Sequence, residues 1–263
     1  MTDVRNDRTV TLHTGRSIPI LGFGTWQLRG AEAREAVGYA LQVGYRHLDT
    51  ATSYRNEAEV GRAIRDSGVP REQVFVTTKL PPENAGRERE TLEASLRNLG
   101  LDRVDLWLIH WPPSDGLGVE TWRALLELRQ AGLATDVGVS NFSPAQIDAL
   151  ISVTGEAPAV NQIRWSPALF DRPRLEHSRR HGVVLEGYSP FKASDLHDPV
   201  LGEIAAAHGV TPAQVILRWH VDTGVVAIPK AAHRERIAAN FDVFGFRLTA
   251  GEVARLDALR SVR

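Results

Sequence analysis

The sequence contains no cysteine among its 263 residues, and that absence excludes a disulfide framework, a cysteine nucleophile and a thiolate metal site together. Lysine is nearly as scarce: of 31 lysines and arginines, only Lys79, Lys192 and Lys230 are lysine. Arginine cannot replace lysine where a compact ammonium must fit a tight pocket or tune a neighbour's pKa, so these three positions attract notice. Excess charge of either sign is lacking too, with a formal net charge of −1 and an isoelectric point near 6.8. No overall positive field therefore draws the chain to nucleic acid. No apolar run is long enough to span a bilayer. The polar opening from Met1 to Val10 lacks the apolar core of a secretory signal. The expectation is a cytoplasmic protein with no nucleic-acid or membrane partner.

What is present points to one α/β unit. The length of 263 residues matches a closed α/β barrel, and no linker rich in Gly, Ser and Pro divides it, so a single domain over residues 1–263 is expected. Hydrophobic residues at 43% and charged residues at 24% suffice for a sizeable core. From Thr9 to Pro19, apolar and polar residues alternate around His13-Thr14-Gly15, which predicts a β-hairpin acting as a preliminary flap. Short apolar runs then alternate with segments of helical period. The runs Leu21–Thr25, Tyr45–Asp49, Gln73–Thr78, Val104–His110, Asp136–Ser140, Ala159–Ile163, Val183–Gly187 and Val225–Ile228 predict strands. Helices are expected over Ala31–Val43, Glu57–Ser67, Gly86–Leu99, Val119–Ala131, Pro144–Val153, Arg172–His181 and Thr211–Val221. A further periodic stretch follows His233, and Thr249–Leu259 reads as a closing helix capped by Thr249. Eight strands with helices between them favour a (β/α)8 TIM barrel with an N-terminal β-hairpin, although spacing alone leaves an open doubly wound sheet possible.

In parallel barrels the active site gathers at the C-terminal ends of the strands. Asp49 ends the second run, Lys79 follows the third, His110 ends the fourth, and Tyr54 lies five residues beyond Asp49. Singly, each has an ordinary structural reading: His110 as a bonded core histidine, Asp49 as a helix cap. Together they form a proton-donating set, because an ammonium stabilises a phenolate and lowers the tyrosine pKa from about 10. Asp49 would hold Lys79, and His110 would orient a carbonyl oxygen or assist the proton.

At these residues the sequence becomes recognisable. Gly44-Tyr45-Arg46-His47-Leu48-Asp49-Thr50-Ala51 followed by Tyr54-Arg55-Asn56-Glu57 resembles the first signature of the aldo-keto reductase superfamily. Gly22-Phe23-Gly24-Thr25-Trp26, Thr77-Thr78-Lys79-Leu80 and Leu108-Ile109-His110-Trp111-Pro112 resemble its first, lysine and histidine strands. Val137-Gly138-Val139-Ser140-Asn141-Phe142, Asn161-Gln162, Gly187-Tyr188-Ser189-Pro190 and Ile228-Pro229-Lys230 are similar to its cofactor-binding segments. The resemblance covers Thr9 to Leu259 and is strongest to short bacterial members such as the 2,5-diketo-gluconate reductases.

The resemblance implies a monomeric NADPH-dependent reductase of small aldehydes or ketones. Tyr54 would be the general acid, Lys79 and Asp49 would tune it, and His110 would position the carbonyl. Tyr188 would stack on the nicotinamide, whose carboxamide Ser140, Asn141 and Gln162 would bond. Gly24, Thr25, Trp26, Asp49, Ser189, Pro190, Phe191 and Asn240 join the expected cofactor contacts. Lys192 is placed on a phosphate, and Lys230 with Arg236 on the adenosine 2′-phosphate. Trp26 and Trp111, with Tyr54 and His110, would wall the substrate pocket. There is no GxGxxG turn. Ala231 and Ala239 depart from the family's usual Ser or Thr and Glu, which predicts looser dinucleotide binding. Pro81-Pro82 replaces a tryptophan that many relatives carry, and the tail stops near Arg263; both predict a more open, less selective pocket. Two other readings stay on the table: a nicotinamide-binding sensor or regulatory subunit, and a lyase using Lys79 as a Schiff base. His177 and His181 have i, i+4 spacing, but with no third ligand evident they read as a solvated face, and no metal is expected.

Overall fold

A computed structural model of the chain describes residues 8–113 and 118–259. The start of the polar opening, residues 1–7, and the end of the tail at Arg263 lie outside them. Two short strands, β1 (Thr9–Thr11) and β2 (Ser17–Pro19), pair antiparallel with Val10 opposite Ile18. Eight parallel strands follow: β3 (Phe23–Gly24), β4 (His47–Asp49), β5 (Phe75–Leu80), β6 (Val104–Ile109), β7 (Ala134–Ser140), β8 (Val160–Arg164), β9 (Val184–Tyr188) and β10 (Val226–Ile228). Each pairs with its successor, and the sheet closes through a parallel bridge between Leu21 and Ala227. Gly22 N–H donates to Ala227 O at 2.9 Å, and Ala227 N–H donates to Ile20 O at 2.9 Å. The barrel alternative is therefore the correct one, because an open sheet has no bond between its first and last strands.

The hairpin is a plug rather than a flap. Leu12 and Ile18 are buried in one cluster with Leu106, Leu108, Val160, Val184 and Val226, of which Val160, Val184 and Val226 are the first residues of their strands. Those contacts fill the end of the barrel opposite the site.

Ten α-helices are described: α1 (Gly30–Val43), α2 (Glu57–Asp66), α3 (Glu88–Leu99), α4 (Val119–Gln130), α5 (Pro144–Thr154), α6 (Arg172–Arg180), α7 (Pro199–His208), α8 (Pro212–Thr223), α9 (Arg234–Phe241) and α10 (Ala250–Asp257). The helix missing from the sequence expectation is α7. Its signals are an Asp198 side chain accepting from Val200 N–H, Pro199 at the first position and left-handed Gly209 at the end. Proline and glycine punctuate loops as readily as helix ends, which hides so short a helix. Reciprocal capping boxes at Ser143 with Gln146, Thr211 with Gln214 and Thr249 with Glu252 start α5, α8 and α10, each satisfying two otherwise orphaned backbone donors.

Helices α2 and α3 meet at Gly61, where an added Cβ would fall 2.0 Å from Leu99 O; only glycine allows this approach. Among the described residues no single helix is long and apolar enough to cross a membrane. The pair α7 and α8 passes on composition but is bent by 84°. Its apolar residues Leu201, Ile204, Val215, Ile216 and Trp219 are buried with Trp165 and Leu185.

Candidate functional site

The C-terminal strand ends open into a cleft of about 640 Å³, within the ordinary range of small-molecule sites. It is lined by Gly24, Trp26, Asp49, Tyr54, His110, Trp111, Ser140, Asn141, Gln162, Tyr188, Ser189, Lys192 and Lys230, all expected from sequence. Arg29, Ser53, Arg164 and Ile228 also line it.

Lys79 lies inside β5, which runs on to Leu80, so it does not follow its strand as the apolar pattern suggested. It is fully buried. Its ammonium donates to Asp49 Oδ1 at 2.7 Å, to Asp49 Oδ2 at 2.8 Å and to Thr50 O at 2.8 Å. Burial disfavours the charge, but Asp49 and Tyr54 outweigh it and hold the Lys79 pKa above its ordinary value. An amine held as ammonium with its hydrogens committed has no lone pair for a carbonyl carbon, which argues against a Schiff base.

Tyr54 ends a short 3-10 turn, Thr52–Tyr54. Thr52 ties that turn to β5 through its hydroxyl, which donates to Lys79 O at 2.9 Å. The Lys79 ammonium stands 5.1 Å from the Tyr54 ring centre. The direction expected for Tyr54 needs correction: burial raises its pKa, and the Lys79 charge pulls it down without prevailing. The phenol is thus firmly protonated near neutrality, with a cation beside it to stabilise the anion once the proton has left.

His110 follows the end of β6, with its ring edge-on to Tyr54 at 5.7 Å. Burial first and Lys79 second lower its pKa to about 3, so the imidazole is neutral. Ser53 Oγ lies 3.4 Å from its Nδ1.

The opposite wall comes from β7, β8 and β9. Ser140 Oγ donates to Gln162 O at 2.8 Å, and Asn141 Nδ2 donates to His110 O at 3.1 Å. The Tyr188 hydroxyl donates to Asn141 Oδ1 at 2.9 Å, fixing that ring from its edge. Asn141 has φ 65° and Ser189 has φ 52°, left-handed values that are uncommon outside glycine and concentrate at functional turns. Lys192 Nζ sits 4.5 Å above the Trp26 ring, a cation–π contact across the cleft. Trp26 is 43% and Trp111 48% exposed.

Five expected cofactor contacts do not line the cleft. Thr25 is buried and its hydroxyl donates to Asp49 O at 2.9 Å, so it anchors β3 to β4. Pro190 is buried, and Phe191 packs against the hydrophobic core. Arg236 is exposed and Asn240 buried on α9. Pro81 precedes and Pro82 begins a 3-10 turn, Pro82–Asn84, and neither is among the residues lining the cleft. Outside the site, His177 and His181 do have a third neighbour: Asp148 of α5 places Oδ1 2.8 Å from His177 Nε2 and 3.2 Å from His181 Nε2. His177 Nδ1 is buried without a partner, whereas metal-bound imidazoles ordinarily bond their second nitrogen. The contacts present are those of a hydrogen-bonded cluster.

Sequence reasoning missed Glu186. It lies in β9 between Leu185 and Gly187, fully buried. Its Oε2 accepts from Gln162 Nε2 at 3.2 Å, and the same nitrogen donates to Asp49 Oδ2 at 2.8 Å. Burial, followed by Asp49, raises the Glu186 pKa to about 8. An acid inside an apolar parallel strand was the available signal, since carboxylates are rarely fully buried without a partner.

Residues 20–261 match the model of the Aldo/keto reductase family. The chain belongs to the aldo/keto reductase family. This aldo/keto reductase is 43% identical over 263 residues to 2,5-diketo-D-gluconic acid reductase B of Corynebacterium sp. (strain SHS752001), covering 98% of this chain and 94% of that one. It is 41% identical over 259 residues to methylglyoxal reductase DkgA of Escherichia coli K12, covering 96% and 94%. Its barrel is similar to the solved aldo/keto reductase from Brucella melitensis, with TM-score 0.91 and 43% identity over 95% of this chain and 98% of that one. A Bombyx mori aldo-keto reductase solved in complex with NADP superposes with TM-score 0.89 at 36% identity, over 95% of this chain and 91% of that one.

Proposed function

We propose that this aldo/keto reductase reduces small aldehydes or ketones to alcohols with NADPH, and that Tyr54 is the proton donor. Membership of the family makes the chain an NADP-dependent oxidoreductase acting on carbonyl compounds. The observation that carries the finer reading is the Asp49–Lys79–Tyr54 arrangement: a buried ammonium, saturated by Asp49, beside a protonated phenol at the cleft.

The residues lining the cleft fit the dinucleotide. Both hydrogens of Gln162 Nε2 are directed into the barrel, leaving its oxygen for the cleft, while the Tyr188 ring is fixed by Asn141. Lys192 and Lys230 line the same opening and suit phosphate groups. We assign Ser140, Asn141 and Gln162 to the nicotinamide carboxamide, Tyr188 to its ring face, and Lys230 with Arg236 and Asn240 to the adenosine phosphate end. When bound, NADPH supplies the hydride that reduces the carbonyl carbon.

Neutral His110 holds the substrate oxygen by donating from Nε2, the tautomer favoured when Ser53 donates to Nδ1. Tyr54 then gives its proton to that oxygen as negative charge builds there. Lys79 stabilises the phenolate left behind, and Asp49 keeps Lys79 charged and in place. Trp26 and Trp111 shield the reacting carbonyl from water with their apolar faces. The test is a spectrophotometric screen of aldehydes and ketones with NADPH and NADH. Steady loss of the reduced-nicotinamide absorbance with simple aldehydes, faster with NADPH, supports the reading; no oxidation across the panel sinks it.

A further inference from the structure

The chemistry just described has no use for Glu186, yet burying an acid inside a strand is expensive. It stands in register with Gln162 on β8 and Val226 on β10, all in the layer beneath the cleft. The groups facing it are Asp49 and His47 from β4, Lys79 from β5 and Gln162 from β8. His47 Nε2 is 3.5 Å from Glu186 Oε1, beyond a good hydrogen bond. The His47 ring is neutral, its pKa lowered to about 3 by burial.

The close contact is with Gln162. A primary amide has two orientations of nearly equal shape, one presenting NH2 and the other oxygen. In the orientation seen, Nε2 has Asp49 Oδ2 at 2.8 Å and Glu186 Oε2 at 3.2 Å, so each hydrogen meets a carboxyl oxygen. Turned over, Gln162 would press its own oxygen against Asp49 Oδ2 and Glu186 Oε2, neither of which carries a hydrogen when Asp49 is ionised and any Glu186 proton sits on Oε1. Asp49 alone is a weak lock, since both its oxygens already accept from Lys79. Glu186 takes the second hydrogen.

We infer that Glu186 is a positioning residue that fixes the Gln162 amide with its oxygen toward the cleft. It thereby makes the site selective for a ligand that offers an N–H at that point. Under the function proposed above, on which this rests, that N–H belongs to the nicotinamide carboxamide. The ionised carboxylate only accepts, and the neutral acid keeps the lock with its proton on Oε1, the oxygen that faces His47 Nε2, because Oε2 is then the carbonyl acceptor for Gln162.

The test compares NADP+ with its 3-acetylpyridine analogue, in which a methyl replaces the carboxamide NH2 and the carbonyl stays. Dissociation constants are read by tryptophan fluorescence for the wild type, Glu186→Leu and Glu186→Gln. One lost hydrogen bond to a held acceptor is about tenfold in affinity, so the wild type should prefer NADP+ by about that factor. The preference should collapse to about twofold or less in Glu186→Leu and persist in Glu186→Gln, whose carbonyl still accepts. An undiminished preference in Glu186→Leu, its loss in Glu186→Gln, or no preference in the wild type overturns the inference. A wild type that binds neither dinucleotide removes the proposed function itself. Because Glu186→Leu could fail to fold, exchange of the Gln162 side-chain amide hydrogens is also measured in wild-type protein by NMR. Slow exchange is expected, and exchange as fast as a solvated glutamine overturns the lock.

Discussion

Glu186→Gln provides a quantitative test of the buried polar layer. In the folded protein the Glu186 pKa is raised from 4.5 to about 8, while in the unfolded chain it returns to the ordinary value. Between those pH values the folded state holds a proton that the unfolded state has released, so raising the pH through this window destabilises the fold. One pKa unit corresponds to about 1.36 kcal/mol, and at pH 7 the penalty is therefore about 3 kcal/mol. Glutamine keeps the shape and cannot ionise, so the variant escapes this penalty. An unfolding entropy of about 2.1 cal/mol/K per residue over 263 residues turns that difference into a Tm gain of roughly 6 °C. The assay is thermal unfolding of both proteins from pH 4.5 to 9. The difference in Tm, variant minus wild type, should climb between pH 5 and 8 and then level off. Parallel curves across that range would mean that Glu186 titrates normally, and the account of the layer would be wrong.

Other perturbations test neighbouring parts of the structure. Lys79→Met leaves Asp49 buried without its ammonium and should destabilise the fold by about 3–5 kcal/mol, seen as a lower denaturant midpoint. The same variant should move the alkaline rise of alcohol oxidation to higher pH, because Tyr54 loses the charge that opposes its burial. His110 should show no titration of its ring resonances from pH 8 down to 4.5, given a pKa near 3. Because the unfolded chain accepts that proton near pH 6.5, the stability held by neutral His110 is lost as the pH falls from there toward 3; a ring titrating near 6.5 would contradict this. Gly61→Ala drives a methyl into the Leu99 carbonyl and should cost about 3 kcal/mol by chemical denaturation, whereas an unchanged midpoint would show that α2 and α3 do not approach so closely.

The barrel was legible because its strands, buried on both faces, read as apolar runs separated by helical periodicity. Their limits were less so: β5 continues through Lys79 because a lysine paired with Asp49 can stay inside a strand, which hydropathy does not register. The strand-end acids and bases announced themselves by position, and the structure brings Asp49, Tyr54, Lys79 and His110 together. Glu186 did not, since its partner Gln162 lies 24 residues away in sequence and only the register of β8 with β9 joins them. The sign of the Tyr54 shift was also hidden. An ammonium beside a phenol is readable from motif spacing, whereas the desolvation that outweighs it depends on packing from several strands. Arg29 and Arg164 line the cleft from loop and strand-end positions, in a chain where arginine is too common to stand out.

The central claim is that the Tyr54 hydroxyl delivers the proton that completes carbonyl reduction. It is tested most directly by Tyr54→Phe, with NADPH affinity measured by fluorescence and single-turnover reduction of an aldehyde followed at the nicotinamide absorbance. Affinity within about twofold of wild type and a reduction rate lowered by a factor on the order of 100 to 10,000 are expected. A variant that reduces the aldehyde at near wild-type rate would contradict the account.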